Sequence, residues 1–209
     1  MPARELQLWY VEHPGALEWP ADAELSPETT RLRRALIQDD PPGSRARAQE
    51  RARELVPVRS HLSREWWRFE SATVLDCLLM TDKLVVTVTG TRVEPLGAAT
   101  PWYPARSRLV RDLEAARQLA SGRRWASVLI SEDPAPDGTP EALERALALA
   151  APHLDRAARD ELRAAYLGNL TWREACAAVD LRFDTLPDTT AALSTGALPS
   201  RPSCKSSRG

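Results

Sequence analysis

Lysine is almost missing from this chain of 209 residues: Lys83 and Lys205 are the two that occur, so nearly all of the 28 basic residues are arginine. Against 29 acidic residues they leave a formal net charge of −1. That balance removes any bulk attraction for nucleic acid, and such a contact would need basic residues gathered on one face. Cysteine is scarce as well. Cys77, Cys176 and Cys204 are odd in number, scattered and without paired metal-ligand spacing, which argues for a reducing compartment and against a structural zinc site. His13, His61 and His153 are equally dispersed. No window approaches the roughly 18 apolar residues of a membrane span. The opening MPARELQLWYVEHPG has neither the apolar segment nor the small-residue cleavage site of a secretory leader. Together these absences point to the cytoplasm and to no membrane partner.

What is present suits one full-sized core with extensions, since 43% of the residues are hydrophobic and the length fits one domain. The abundance of alanine and arginine reads as the coding bias of a GC-rich genome. Ser26 as N-cap and Pro27 at the first helical position predict a helix over 27–38. DDPPGS breaks it, and RARAQERARELV predicts a second helix to Val56. From Trp66 the period changes. EWWRFE, ATVLDCLLM and KLVVTVTG read as three strands, the last two forming an antiparallel hairpin around a tight turn at Thr81 and Asp82. ARSRLVRDLEAARQLASG places Leu109, Leu113, Ala116 and Ala120 on one helical face, with Gly122 placed to stop it. RWASVLIS is a fourth, central strand. Thr139 and Pro140 start a helix to about Ala151, and a further helix spans Asp155 to Leu167. Gly168 and Asn169 then turn the chain, and TWRE, from Thr171 to Glu174, caps a last helix. A helical hairpin packed on the sheet is the expectation for this stretch, since the second helix is too poor in basic residues for a helix-turn-helix that reads DNA. The tail from 187 to 209 has too little apolar content to fold alone.

The order helix, three-strand meander, helix, strand, together with WWRFESATVLDCLLMTDKLVVTVTGTRVEP and TPWYPARSRLVRDLEAARQLA, resembles a bacterial group within the PD-(D/E)XK nuclease superfamily. The resemblance covers about Ser63 to Glu132. It implies an α/β fold with a restriction-endonuclease-like core at 45–135, an N-terminal helical extension at 1–44 and a C-terminal helical subdomain at 136–186. In that superfamily an aspartate and a glutamate on hairpin strands converge on Mg²⁺, which polarises the scissile phosphate and activates water. A lysine two residues after the glutamate shares its strand face and offsets developing charge.

Carried onto this sequence, Asp76 takes the aspartate position and Glu70 matches a glutamate that precedes it. Thr89 stands where the second acid belongs and Thr91 where the lysine belongs, with Gly90 between them; Met80 replaces an acid before the turn. A neutral hydroxyl is a poor ligand for a hard dication and carries no positive charge. The resemblance therefore implies a degenerate site with no cofactor, Mg²⁺ being needed if cleavage is retained by Asp76 with Glu70 or Glu94. Arg92, Arg106, Arg108 and Arg111 are the candidates to hold phosphate without cleaving it, DNA being expected before RNA.

Each residue also has a plainer role. Asp76 can cap a loop or pair with an arginine, Glu70 can bridge to one of many arginines, and RSRLVR can be a solvated helix face. The leading expectation is a catalytically degenerate nuclease-like protein that binds nucleic acid or a protein partner. The rivals are an active Mg²⁺-dependent endonuclease with rearranged ligands and a structural protein without nucleic-acid role.

Overall fold

Ser26 caps the helix expected after it: its hydroxyl accepts from the Thr29 amide at 3.2 Å, and the helix α2 runs Pro27–Ile37. The computed structural model describes residues 4–57, 66–91, 96–135 and 138–185. The contacts divide the chain into two compact units, Met1–Thr171 and Trp172–Gly209. The tail from 187, like Arg92 and Glu94, lies outside the described residues.

A helix α1, Arg4–Glu12, precedes α2 and was not legible in advance. Its Leu6, Tyr10 and Val11 are fully buried, the spacing of one helical face. They join α2 and α3, Arg45–Leu55, in a first core completed by Trp66, Trp67, Phe69 and Trp102.

Those aromatics explain why the first expected strand does not form. Residues 66–76 run as turn and loop. Arg33, 3% exposed, donates to the carbonyls of Trp66 at 2.8 Å and Arg68 at 2.9 Å. The Thr100 hydroxyl donates to the Phe69 carbonyl, and Arg111 to that of Ser71. Side chains thus satisfy the carbonyls that a neighbouring strand would have taken. Consecutive Trp66 and Trp67 are also both buried, which a strand's alternation between faces disfavours.

The hairpin forms as expected. The strand β1, Cys77–Met80, pairs antiparallel with β2, Leu84–Gly90, from Cys77↔Val88 to Met80↔Val85. At the turn the Thr81 amide donates to the Leu84 carbonyl at 2.8 Å, and the Thr81 hydroxyl accepts from the Leu84 amide at 2.9 Å. The chain then crosses through α4, Arg108–Ala120, to β3, Arg124–Ser131, which is parallel to β2. Ser121 and Gly122, at φ 47° and 87°, end α4 near the predicted stop. The helix α5, Pro140–Ala150, opens on the Thr139 hydroxyl, which accepts from the Ala142 amide at 3.1 Å.

The largest departure follows α6, Arg156–Ala165. In place of more helix and a turn, β4, Tyr166–Thr171, runs parallel to β3 and completes a mixed sheet in the order β1-β2-β3-β4. Tyr166 is drawn in by burial and by donating to the Gly138 carbonyl at 2.6 Å. Asn169 accepts from the Ala135 amide at 2.7 Å and donates to the Ser131 hydroxyl at 2.8 Å. Leu167 and Gly168 are absorbed as a register shift, with Gly168 at φ 103°. The glycine serves as a bulge, so a strand stands where the turn of the expected helical hairpin was placed; α7, Trp172–Ala178, begins the second unit.

A second core lies between the sheet and α4, α5 and α6, built on Leu109, Leu113, Leu129, Leu143, Leu162 and Tyr166. The fold is therefore α/β, with seven α-helices and four strands among the described residues. None of those helices is long and apolar enough to cross a membrane.

Candidate functional site

The start of α4, the end of β2 and the loop before β1 bring four of the singled-out residues together. Asp76 accepts from the Gly90 amide at 2.8 Å through Oδ2, and the Arg108 guanidinium pairs with that same oxygen. Both side chains are more than a third exposed. Thr89 alternates to the face beneath α4, is fully buried, and donates its hydroxyl to Asp112 Oδ2 at 2.7 Å. The Thr91 amide extends the sheet by donating to the Ile130 carbonyl at 2.8 Å.

Asp112 is 1% exposed. Burial pushes its carboxyl up to about 6; the Thr89 hydroxyl and Arg108 pull it down, and the Asp76 charge pushes it further up. The second acid near the end of β2 is thus on the helix. Its signal was a carboxylate inside the apolar stripe of Leu109, Leu113 and Ala116. Among the described residues no group of three or more His, Cys, Asp or Glu side chains is placed to hold a metal ion. The donors near the end of β2 are a carboxylate bound by a guanidinium, a buried carboxyl and a neutral hydroxyl. That set does not match the oxygen-rich anionic shell of an ordinary Mg²⁺ site.

Glu70 belongs to a second, sealed cluster on the other flank of α4. Arg106 is 1% exposed; its Nε lies 3.0 Å from Glu70 Oε2, another nitrogen pairs with Glu114, and a third donates to the Ala150 carbonyl at 2.9 Å. The Tyr10 hydroxyl donates to Glu70 Oε2 at 3.3 Å. His153 Nε2 sits 3.2 Å from Glu114 Oε1, at ion-pair range without the alignment of a hydrogen bond. Burial works against the Arg106 charge, but Glu114 and Glu70 outweigh it and hold the guanidinium above its ordinary pKa. Burial would likewise raise Glu114, yet His153 and Arg106 hold it below the usual value. Burial, with the Glu70 charge behind it, raises the Tyr10 phenol above its ordinary pKa. Tyr10 and His153 lie far away in sequence and carried no signal there.

Each candidate arginine on this stretch is engaged. Arg106 holds Glu70 and Glu114, and Arg108 holds Asp76. Arg111 Nε lies 3.0 Å from Glu70 Oε1 while donating to the Thr73 hydroxyl at 3.1 Å, and its other nitrogens donate to the carbonyls of Ala99 and Ser71. Arg106 and Arg111 share Glu70, while Arg108 answers Asp76 alone. Arg92, the fourth candidate, lies outside the described residues.

No family model, curated protein or solved structure matches the chain.

Proposed function

We propose that this chain is a catalytically degenerate protein on a restriction-endonuclease-like plan, one that acts by binding and whose partner is a protein in preference to nucleic acid. The observation that carries the reading is the pairing at the hairpin end. Arg108 neutralises Asp76 and the Thr89 hydroxyl occupies Asp112, so the groups that would gather a dication are engaged with each other. A nucleic-acid partner is disfavoured because Arg106, Arg108 and Arg111 all answer carboxylates, and phosphate would have to displace them. The free cysteines Cys77 and Cys176 fit a reducing, cytoplasmic setting.

The test is a cleavage assay on single- and double-stranded DNA with Mg²⁺ and Mn²⁺, using the native chain and Asp76→Asn. No cleavage by either is expected. Cleavage by the native chain that Asp76→Asn abolishes sinks the reading. A second reading has one observation in its favour: Asp112, buried on α4, contacts Thr89 one residue from the Gly90 amide that Asp76 holds, so an Mg²⁺-dependent endonuclease with rearranged ligands would draw its second acid from α4. Loss of cleavage in Asp112→Asn as well would establish it.

A further inference from the structure

A cleft of about 610 Å³ opens between the start of α2 and the loops at 68–72 and 99–102, a size ordinary for a small-molecule site. Its floor is apolar. Leu25, Phe69 and Trp102 line it. The buried Arg33 guanidinium stacks on both rings, 4.8 Å from the Phe69 centroid and 4.2 Å from that of Trp102, which holds them in place. The walls carry one cation and one anion, Arg68 and Glu24. Arg68 is half-buried, and its Nε donates to the Glu70 carbonyl at 3.0 Å. Its two Nη groups and the whole Glu24 carboxylate have no partner among the described residues. The two charges therefore line one cleft without pairing. Thr29, 7% exposed, adds a hydroxyl that accepts from Ser26 at 3.0 Å and whose own proton meets no acceptor among the described residues.

We propose that this cleft binds a free apolar amino acid, with its carboxylate on the Arg68 Nη groups, its ammonium on Glu24 and its side chain against Leu25, Phe69 and Trp102. The charge pattern selects that occupant. A phosphate or a simple carboxylate would satisfy Arg68 and bring a like charge to Glu24, whereas an amine would satisfy Glu24 and face the guanidinium. A peptide in mid-chain carries neither charge on its backbone. A ligand with both charges on one carbon and an apolar remainder answers both walls and the floor. The planar guanidinium can take the carboxylate through two parallel N–H···O bonds, which sets the orientation of the ligand. Thr29 supplies a neutral donor in the same lining. The inference goes beyond the partner proposed above and does not depend on it, since neither Asp76 nor Arg108 lines the cleft.

Isothermal titration calorimetry of the full chain with L-leucine and with L-phenylalanine is expected to show saturable binding at one site. Isocaproate, which is leucine without the ammonium, and isoamylamine, which is leucine without the carboxylate, are expected to bind about ten- to a hundredfold more weakly, the loss that follows one missing charge-assisted contact. Glu24→Gln is expected to weaken L-leucine to the level of isocaproate without weakening isocaproate itself. Glu24 is exposed and unpaired, so this variant should keep the circular dichroism spectrum and thermal midpoint of the native chain. Arg68→Gln is expected to act in the mirror sense, weakening L-leucine and sparing isoamylamine. No saturable heat with either amino acid up to about 10 mM overturns the proposal. So does amino-acid binding that folded Glu24→Gln leaves unchanged, or a singly charged analogue that binds as tightly as leucine.

Discussion

Two groups of charged side chains flank α4, and they differ in how completely each charge is answered. In the sealed group Arg106 stands between Glu70 and Glu114, with Tyr10, Arg111 and His153 around them. At the hairpin end, Arg108 answers Asp76 across a half-exposed pair, and the buried Asp112 receives a hydroxyl without a cation of its own. The same helix thus carries a carboxylate held below its usual pKa, Glu114, and one pushed above it, Asp112, two residues apart. What separates them is the partner, because both are buried. Burial raises a carboxyl unless a positive charge in contact offsets it.

The strongest way to break this comparison is Arg106→Met. It leaves Glu70 and Glu114 buried without their shared cation and should cost about 3–5 kcal/mol of stability in urea unfolding. A loss under about 1 kcal/mol would mean that Arg111 and His153 suffice without Arg106. Next in size is Asp112→Asn, which keeps an acceptor for Thr89 while removing the charge. The folded carboxyl lies near 6 against 3.8 for the unbound group. The native state therefore binds the proton more tightly, and stability from this group is full below 3.8 and declines as pH rises through about 6. The substitution should stabilise the protein at pH 7 by about 1–3 kcal/mol and flatten that decline. Equal stability of the two proteins on both sides of the window would refute the assignment.

A smaller effect sharpens the same point. Thr89→Val removes the donor to Asp112, should cost about 1 kcal/mol, and should raise the Asp112 titration further, read by carboxyl NMR. Smallest is Arg108→Ala, since an exposed pair contributes under about 1 kcal/mol. Thermal unfolding should barely change. A large drop would show that the pair at Asp76 carries structural weight that its exposure does not suggest.

How much of this was legible depended on whether the deciding contact was local. Ser26 with Pro27, Thr139 with Pro140, and the turn after Met80 are settled within four residues, and the elements they begin or join stand where the sequence placed them. The strand expected at EWWRFE was lost to Arg33 and Thr100, more than thirty residues away on either side. β4 was missed for the same reason: Gly168 and Asn169 have the local chemistry of a turn, but Asn169 bonds to Ala135 and Ser131. At the site, Asp76 and Glu70 could be singled out by position in a motif, yet nothing nearby says which arginine each will meet. Asp112 was missed although an acid in an apolar stripe was its signal, whereas His153 entered the sealed group through a loop whose placement no local pattern dictates.

The contact between Thr89 and Asp112 also bears on what position 89 accepts. A glutamate introduced at position 89 would bring a second carboxylate against one that is already buried and raised, with no cation between them. A single Thr89→Glu substitution is therefore expected to destabilise the fold. An acid at position 89 is expected to be tolerated only where Asp112 is changed with it, so one hydrogen bond couples the two positions.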